Sequence, residues 1–346
     1  MLFGAGNVGR EVLQVLRRAH VEPVAFLDET PGKVGGSIDG VSVLSPHQAL
    51  THLSDPPCVV VTIMNARHHY LETEERFERE LGLSTLPFLA LPWRLDGVEE
   101  MAFQTGPARL LAGRDRILKL RDKLEDEQSR GVLTNQVHFR LSLDYSSLQP
   151  AQPSPYFPDD LELNLPSAVH FIDAGAYDGD TVASFLRHRG EDFSGITACE
   201  PDPQTFARLV DYVGQQPPQV RDRIHARRVA IGGRRGVLRF RASADMNSAF
   251  DPAGETTVPV ETLETLLDPI GGPLYIKLDI EGAETEAIRS AASWIKRRRP
   301  KLAVSVYHLP TDLWDLPLTL LDLDAGYRLS LRNHGIEGTD VVAYAL

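Results

Sequence analysis

One stretch, HFIDAGAYDGDT from His170 to Thr181, constrains the fold more than any other part of the sequence. A short apolar run ends in Asp173 and passes directly into a turn that contains Gly175 and Gly179, after which the residues have a helical pattern. The stretch therefore predicts a strand, a tight turn and the start of a helix. In open α/β sheets, ligands lie beyond the carboxyl ends of the strands. A glycine-rich turn there lets the backbone approach a nucleotide-like ligand closely.

A second acidic residue follows the next predicted strand. The candidate strand Gly195–Cys199 ends in Glu200, roughly 20–30 residues further on, where doubly wound nucleotide sites place a carboxylate that accepts hydrogen bonds from ribose hydroxyls. The structural alternative is that Asp173 and Glu200 cap helices and that the glycines only turn the chain. The turn by itself does not distinguish these interpretations.

The acidity of the turn narrows the choice of ligand. The phosphate-binding pattern GxxxxGK[ST] is absent, and Asp173, Asp178 and Asp180 would repel a pyrophosphate at the helix N-terminus. An acidic turn instead suits a cofactor that carries positive charge and sugar hydroxyls. S-adenosylmethionine, with its sulfonium and ammonium groups, fits this description.

The turn resembles the first motif of the S-adenosylmethionine-dependent methyltransferases, and the chain from about Leu118 onward resembles the FkbM family of these enzymes. The segments that carry the resemblance are YFPDD (156–160), DAGAYDGDT (173–181), CEPDP (199–203), IKLDIEGAE (276–284) and VSVYHLPTDLWDLP (304–317). The resemblance implies an S-adenosylmethionine site. The candidate cofactor-binding residues are Asp173, Gly175, Ala176, Asp178, Gly179, Thr181, Glu200, Pro201, Asp202, Ala230 and Asp279.

Candidate strands and helices alternate from Ala168 to the C-terminus. We expect strands over residues 169–173, 195–199, 226–231, 274–279, 302–307, 327–332 and 340–345. Seven strands with a final hairpin-like pair match the methyltransferase sheet, which is mostly parallel. The predicted fold class is α/β with two Rossmann-like doubly wound domains, the C-terminal one a seven-stranded methyltransferase sheet with an antiparallel last strand.

The candidate catalytic residues follow the fourth and fifth of these strands. Asp279 and Glu281 follow the fourth strand and His308 follows the fifth, and the family topology places these strands side by side next to the first. Lys277 alternates onto the face of Asp279, so we expect the two to form an ion pair. Each residue also has a structural interpretation, since the carboxylates could cap the next helix and the histidine could be structural. The resemblance favours a functional role for Asp279 and His308.

Methyl transfer to a hydroxyl needs alignment of the reacting atoms and a base, because alcohols are weak acids. A histidine or a carboxylate could take the proton. Alternatively, Asp279, Glu281 and His308 could hold a divalent cation such as Mg²⁺ that lowers the pKa of the hydroxyl. The sequence does not distinguish these two routes. The Asn/Asp-Pro-Pro-Tyr signature of amino-directed methyltransferases is absent after the fourth strand, so oxygen is the expected target.

The N-terminus contains a second glycine motif. Gly4, Gly6 and Gly9 have GxGxxG spacing ahead of an amphipathic helix, and Asp28 follows the next strand at the position used for a ribose. Only three residues precede Gly4, so either the start is truncated relative to the pattern or the first strand is very short. LFGAGNVGREV and AFLDETPGKVGGSIDGVSVLSP resemble the nucleotide-sugar-binding domain of bacterial sugar acyltransferases. The resemblance implies a nucleotide site, and a degenerate domain kept for packing or dimerisation is the structural alternative.

Three regions are expected along the chain. They are a Rossmann-like nucleotide- or nucleotide-sugar-binding domain over residues 1–106, a helical linker over 107–155 and an S-adenosylmethionine-dependent methyltransferase domain over 156–346. Tyr156 lies in a segment expected to form exposed aromatics or a flap over the cofactor cleft, and His334 ends the sixth strand. The candidate acceptor- or nucleotide-binding residues are Gly4, Gly6, Asn7, Gly9, Asp28, Tyr156 and His334.

Composition excludes several classes of partner. The net charge of -12 argues against general binding of nucleic acid or anionic membranes. No apolar run approaches the roughly 20 residues that a membrane span needs, and glycines and Asn7 interrupt any signal-peptide core. The two cysteines, Cys58 and Cys199, lack metal-binding spacing and fit buried free thiols in a reducing compartment. We therefore expect a cytoplasmic protein, and an oligomer is left open.

These features predict an S-adenosylmethionine-dependent O-methyltransferase that acts on a sugar hydroxyl in polysaccharide or natural-product biosynthesis. The expected acceptor is a small molecule or glycan, with a nucleotide-sugar preferred. The alternative is a non-catalytic nucleotide-binding protein for assembly or regulation. The joint presence of Asp173, Glu200, Asp279 and His308 favours the enzyme.

Overall fold

The structure, a computed structural model, describes residues 1–52, 58–65, 68–98, 106–240, 256–323 and 325–346. The chain divides into two compact units. Unit 1 comprises Met1–Ala112, Thr134–Pro150 and Gly335–Thr339, and unit 2 comprises Gly113–Leu133, Ala151–His334 and Asp340–Leu346. Unit 1 is therefore built from three separate parts of the chain.

Unit 1 is a layered α/β unit around a six-stranded sheet of order β3-β4-β2-β1-β5-β6. Its strands are β1 (Leu2–Phe3), β2 (Phe26–Leu27), β3 (Ser37–Ile38), β4 (Val41–Leu44), β5 (Val59–Val61) and β6 (Thr85–Pro87). Its helices up to residue 112 are α1 (Asn7–Arg18), α2 (Pro46–His52), α3 (Tyr70–Arg76) with a π-helical continuation (Phe77–Leu81), a 3-10 turn (Phe88–Ala90), α4 (Leu91–Arg94) and α5 (Pro107–Ala112). All strand pairs are parallel except β3 with β4.

The first strand of unit 1 is very short, one of the two alternatives that the sequence leaves open, and it lies in the middle of the sheet. Helix α1 buries Val12, Leu13 and Leu16. These residues recur at helical spacing, so they form one apolar face that joins the core of the unit. Tight packing on a helix face therefore offsets the few hydrogen bonds that a two-residue strand can make.

The later segments of unit 1 complete its interior. The ring of Tyr145 stacks on Tyr70 at a centroid distance of 4.6 Å and meets Phe139 edge-on at 4.8 Å. Glu337 accepts a hydrogen bond from the main-chain N–H of Tyr70 (2.8 Å) at the start of α3. Burial raises the pKa of Glu337 to about 7. Residues far apart in the sequence thus satisfy one helix terminus.

Unit 1 also contains the 3-10 helix Tyr145–Ser147, and unit 2 contains the strands from β7 onward. The helices of unit 2, of which α7 continues into unit 1, are α6 (Arg114–Lys123), α7 (Glu127–Ser142), α8 (Asp180–Arg189), α9 (Pro203–Gly214), α10 (Pro218–Arg221), α11 (Leu263–Leu267), α12 (Glu284–Ser290), α13 (Ala292–Arg298) and α14 (Asp312–Asp322). Its strands are β7 (His170–Ala174), β8 (Gly195–Cys199), β9 (Ile224–Arg227), β10 (Ala230–Gly232), β11 (Gly236–Phe240), β12 (Thr256–Thr262), β13 (Leu274–Leu278), β14 (Lys301–Ser305), β15 (Leu329–Asn333) and β16 (Val341–Ala345).

The main sheet of unit 2 has seven strands in the order β15-β16-β14-β13-β7-β8-β9. Strand β16 is antiparallel to both of its neighbours, and the other pairs are parallel. This arrangement confirms the predicted α/β fold class and the seven-stranded sheet with an antiparallel last strand. The carboxyl ends of β7, β13 and β14 lie side by side and define the edge where chemistry is expected.

One predicted strand is wrong in its extent. Residues 226–231 were expected to form a single strand, but the third strand of the main sheet is β9, and β10 belongs to a separate three-stranded sheet of order β10-β12-β11. The sequence pattern does not predict this sheet, because its central strand, β12, contains Pro259. A proline cannot donate to a strand ladder, so it argues against a central strand.

Aromatic packing holds the segment before β7 against the main sheet. Phe171 stacks on Phe185 at a centroid distance of 4.6 Å, and Phe157 meets Tyr275 edge-on at 5.7 Å. Such pairs contribute about 0.5–1.5 kcal/mol each beyond the burial of their area. Tyr156 and Phe157 are both buried, so neither forms an exposed aromatic. Among the described residues, no helix combines the length and apolarity that a membrane crossing requires.

Candidate active site

The turn after β7 is built on a glycine that no other residue could replace without a shift. Gly175 has φ +81°, and a Cβ there would lie 1.8 Å from the carbonyl oxygen of Asp279. The main-chain N–H groups of Gly175 and Ala176 both donate to the carbonyl oxygen of Cys199 (2.9 Å each). The turn thereby ties together the ends of three neighbouring strands, β8, β7 and β13.

The remaining residues of this turn lie along its path into α8. Gly179 has φ +95°, and a Cβ there would lie 2.8 Å from the ring of Tyr212. Asp178 is half-buried, and Thr181 is buried in the first turn of the helix. The backbone of the turn is therefore held close to its neighbours, as a site that presents main-chain atoms to a ligand requires.

Glu200 connects this turn to the next one. Its Oε2 accepts from the main-chain N–H of Tyr177 (2.9 Å), and its Oε1 accepts from the N–H of Asp202 (2.9 Å) and the hydroxyl of Thr205 (3.0 Å). Burial raises the pKa of Glu200, although these hydrogen bonds oppose the rise. The structure thus brings Glu200 and the glycine turn together.

Three other candidate cofactor residues lie in or after this second turn. Asp202 accepts from the N–H groups of Gln204 (2.8 Å) and Thr205 (2.9 Å) and caps α9. Pro201 is half-buried beside it. Ala230 pairs with Val260 in the small three-stranded sheet. The helix-capping interpretation therefore describes the contacts of Asp202.

A buried ion pair lies below the glycine turn. Lys277 Nζ is 3.1 Å from Asp173 Oδ1 and 3.7 Å from Asp279 Oδ2, and it donates to the carbonyl oxygen of Gly175. Burial raises the pKa of Asp173, and Lys277 opposes the rise. Burial works against a charged Lys277, but Asp173 and Asp279 raise its pKa. The expected contact between Lys277 and Asp279 is present, and Asp173 is the closer partner.

Asp279 and His308 meet at the carboxyl edge. His308 Nε2 lies 3.2 Å from Asp279 Oδ1, and Asp279 Oδ2 accepts from the hydroxyl of Tyr156 (2.8 Å). The other ring nitrogen, Nδ1, lies 2.9 Å from Glu284 Oε1. The two ring contacts are close but are not linear hydrogen bonds. Burial opposes a charged imidazole, yet Glu284 and Asp279 raise the pKa of His308 well above its usual range.

Glu281 lies at the open side of this group. Its side chain is 52% exposed, and its Oε2 is 3.7 Å from His308 Nε2. Its φ of +56° lies in the left-handed region, which costs a residue with a Cβ about 1–3 kcal/mol and is frequent at functional sites. Although part of the side chain is exposed, partial desolvation by the surrounding atoms raises the pKa of Glu281 to about 7, against the effect of His308.

The side chains that could bind a cation differ from the predicted ligands, which were Asp279, Glu281 and His308. Ligand atoms of Asp279, Glu284 and His308 all lie within 4.8 Å of one another, whereas Glu281 is outside this group. A mixed oxygen and nitrogen set of this kind could hold a divalent ion. Each nitrogen of His308 already faces a carboxylate, so a bound ion would have to displace one of those contacts.

Tyr156 and His334 are linked through Tyr344. His334 Nδ1 donates to the carbonyl oxygen of Gln152 (3.1 Å), and its Nε2 lies 2.9 Å from the hydroxyl oxygen of Tyr344. The same hydroxyl oxygen accepts from the main-chain N–H of Tyr156 (3.0 Å). Tyr156 also has a positive φ of 68°. His334 thus supports the Tyr156 segment from behind, and Tyr156 itself contacts Asp279.

The glycine motif of unit 1 forms a second, separate turn. A Cβ at Gly9 would lie 2.0 Å from the carbonyl oxygen of Gly4, whereas a Cβ at Gly6 would meet nothing within 4 Å. Asn7 begins α1. Asp28 Oδ2 accepts from the N–H of Ala5 (2.9 Å), which places its carboxylate against the turn.

Internal partners engage both oxygens of Asp28. Its Oδ1 accepts from the N–H of Thr30 (2.8 Å), and Lys33 Nζ lies 3.2 Å from Oδ2. Burial tends to raise the pKa of Asp28, but hydrogen bonds from Thr30, Ala5 and Lys33 lower it to about 2. The carboxylate therefore braces the glycine turn in this structure.

Glu284 also belongs to this site, although the sequence pattern does not single it out. It belongs to the IKLDIEGAE segment, but an acidic residue in the first turn of a helix usually needs no further explanation, because it favours the helix dipole. The signal that could have identified it is its spacing from Asp279, which brings both carboxylates back to one loop. Its burial could not be inferred from that spacing alone.

Residues 173–329 match the family model described as the methyltransferase FkbM domain. The methyltransferase FkbM from Methylobacillus flagellatus KT is similar in structure, with a TM-score of 0.80 and 21% identity over 100% of this chain and 89% of that one. At this identity, the similarity shows the fold alone.

Two further solved structures are weakly similar. The precorrin-6y C5,15-methyltransferase from Geobacter metallireducens GS-15 has 16% identity over 53% of this chain and 80% of that one, with a TM-score of 0.29. The glycopeptide N-methyltransferase MtfA, complexed with S-adenosyl-L-methionine, has 14% identity over 52% and 81%, with a TM-score of 0.31. Such low scores support no inference. No curated protein matches the sequence. The evidence for the family is the match to residues 173–329. The chain thus contains a methyltransferase FkbM domain, as the motifs in its sequence predict.

Proposed function

We propose that the chain is an S-adenosylmethionine-dependent O-methyltransferase that methylates a hydroxyl of a sugar, presented as a nucleotide-sugar or within a glycan. The FkbM domain supports methyl transfer. The observation that carries the proposal is the contact of His308 with Asp279 (3.2 Å), beside Glu281, at the carboxyl edge of the sheet. A proton-accepting group at that edge suits a hydroxyl acceptor, which must lose its proton.

The residues around the turn after β7 fit the cofactor. In this proposal Glu200, which follows β8 at the carboxyl edge of the sheet, accepts from the ribose hydroxyls, and Asp178 adds negative charge beside a turn whose backbone is tightly held. An acidic surrounding favours the sulfonium and ammonium charges of S-adenosylmethionine. When bound, this cofactor supplies an electrophilic methyl group.

The chain's own residues align the acceptor and receive its proton. Asp279 and His308 contact each other at the carboxyl edge of the sheet, beside the turn after β7. The side chain of Glu281 lies next to them and is exposed to solvent. The acceptor oxygen would form its new bond to the methyl carbon as the carbon–sulfur bond breaks and its electron pair stays on sulfur. The proton of the acceptor hydroxyl would pass to this group of side chains and then to water. Alignment of the reacting atoms accounts for a large part of the barrier reduction in such a displacement.

The function is tested with labelled S-adenosylmethionine and a panel of nucleotide-sugars and deoxysugar glycans. We expect label in one class of sugar, with the methyl group on oxygen by mass spectrometry and NMR. Repeating the reaction after a chelator and with added Mg²⁺ separates the two routes: activity that needs the ion supports the metal route, and unchanged activity supports the side-chain base. Methylation of nitrogen, or of no sugar in the panel, would contradict the proposal.

Glu200 provides a prediction about the cofactor. Replacing Glu200 with alanine is expected to weaken binding of S-adenosylmethionine by about 1.5–3 kcal/mol, the range for hydrogen bonds to a charged group. Titration calorimetry measures the change, and thermal unfolding checks that the turns at Tyr177 and Asp202 stay folded. Glu191→Ala, at an exposed position of the same unit, is the control. Equal affinities of the Glu200 variant and the wild type would remove Glu200 from the site.

We further propose that unit 1 binds the nucleotide part of the activated sugar. Helix α1 has no acidic residue in its first turn, so its N-terminal amides and dipole favour a phosphate. Gly6→Asp adds a negative charge where a Cβ has free space. We expect it to raise the KM for a nucleotide-sugar at least about 10-fold, since like charges repel, with kcat nearly unchanged. Gly6→Asn is the uncharged control, and equal KM values for the two variants would leave unit 1 without this role.

A further inference from the structure

Glu284 is one of the most deeply buried acidic residues of the candidate active site. It lies at the first position of α12, where a carboxylate normally faces solvent, yet it is only 1% exposed. Burial of a carboxylate costs free energy unless a partner compensates its charge. The contacts of Glu284 should therefore reveal why it is retained inside the fold.

Two groups contact the buried carboxylate. Oε1 accepts from the main-chain N–H of Ile280 (2.7 Å) and lies 2.9 Å from His308 Nδ1, while Oε2 has no hydrogen-bond partner among the described residues. The first contact is local and closes the loop after β13. The second reaches a residue that follows a different strand, β14, and joins the two loops of the site.

The contact with Glu284 determines which ring nitrogen of His308 faces Asp279 and Glu281. An ionised carboxylate can only accept, so a neutral His308 beside it carries its proton on Nδ1. The other nitrogen, Nε2, is then the one that faces Asp279 (3.2 Å) and the exposed Glu281 (3.7 Å). A carboxylate behind an imidazole also stabilises the ring in its protonated form.

We propose that Glu284 is a positioning residue, which holds His308 with Nδ1 inward and Nε2 toward the acceptor. This inference rests on the proposed methyl transfer to a hydroxyl. The competing interpretation is that Glu284 only closes the loop through Ile280. The two differ in what they require, because a neutral amide oxygen can accept from Ile280 equally well but carries no charge to stabilise the imidazole.

Glu284→Gln separates these interpretations, because it keeps an oxygen for Ile280 and removes only the charge. We expect kcat to fall by roughly 10²-fold or more, as when the carboxylate behind a catalytic histidine is neutralised. The acceptor KM and the affinity for S-adenosylmethionine should stay within about twofold, since Glu284 is placed to contact neither. Glu286→Gln, an exposed exchange on the same helix, is the matched control and should keep the wild-type kcat.

A spectroscopic measurement tests the contact between Glu284 and Nδ1 of His308 without a methyl acceptor. In ¹⁵N-histidine-labelled protein, the His308 signals are assigned by their loss in a His308→Gln variant. We expect a proton on Nδ1, and its resonance should move upfield in Glu284→Gln, because hydrogen bonds to a neutral acceptor are weaker than those to a charged one. A neutral ring protonated only on Nε2 would overturn the inference, as would an unchanged kcat in Glu284→Gln. Failure of the proposed function would instead show as a wild-type protein that transfers no methyl group.

Discussion

Replacing Lys277 with methionine is expected to lower the free energy of unfolding by about 3–5 kcal/mol, the cost of leaving a buried charge without its partner. Lys277 and Asp173 are 1% and 0% exposed, and their charged atoms are 3.1 Å apart. Methionine nearly matches the length of the lysine but compensates no charge. Urea unfolding followed by circular dichroism measures the loss.

The loss should depend on pH in a defined direction. Burial already raises the folded-state pKa of Asp173, and Lys277 opposes this, so its removal raises that pKa further above the unfolded value of about 3.9. A group whose folded pKa is raised is favourable below its unfolded pKa, and this stability is lost as pH rises through the folded pKa. The variant should therefore be closest to the wild type near about pH 4 and weakest at alkaline pH.

A second substitution serves as the control for this prediction. Adding Asp173→Asn to Lys277→Met removes the unpaired charge and should recover most of the lost stability, because the two effects are coupled through one contact. If the single lysine variant unfolds at the same urea concentration as the wild type, or if the double variant is no better than the single one, the ion pair does not hold this site together.

Replacing His308 with alanine is expected to reduce turnover by about 10²–10⁴-fold, as expected for loss of a general base. Affinity for S-adenosylmethionine should be nearly unchanged, because the contacts of His308 are with Asp279, Glu281 and Glu284 rather than with the glycine turn. Single-turnover kinetics and calorimetry measure the two quantities separately. His225→Ala, at an exposed position in β9, is the matched control. Wild-type turnover in the His308 variant would exclude it from the chemistry.

Much of the unit 2 sheet could be predicted because most of its strands are short, buried runs that lie between turn signals. Strand β8 begins and ends as expected, and the others differ by a few residues at their ends. Continuous apolar runs between turn signals are the strongest strand pattern in a single sequence. The three-stranded sheet gave no such pattern, because Pro259 lies in its central strand and Arg239 interrupts β11.

The site was predictable to the extent that strand ends place residues at one edge. Asp279 and His308 each follow a parallel strand, so their approach to 3.2 Å follows from the topology. The role of Asp173 was harder to infer, because its preferred partner is the buried Lys277 and burial is a property of the whole fold. The burial of Glu284 could not be predicted either, because the residues next to it in the sequence do not indicate whether its side chain points into the fold or toward solvent.

The division of the chain also depends on long-range contacts. The sequence pattern places residues 107–155 between two domains, whereas contacts assign Thr134–Pro150 to unit 1. Tyr145 lies in that segment and stacks on Tyr70. Such a contact joins residues without any local signal that either one has a distant partner, so helix periodicity alone could not indicate it.

The placement of Glu337 in unit 1 has a consequence for biosynthesis. The carboxylate that accepts from Tyr70 at the start of α3 is translated more than 200 residues after the first part of unit 1 ends at Ala112. At about 5–20 residues per second, a ribosome needs roughly 10–40 s to cover that distance. Unit 1 therefore cannot reach its final form in the usual order, N-terminal domain first. The start of α3 gains this contact only after the chain has been made as far as Glu337, by which point most of unit 2 has also been synthesised.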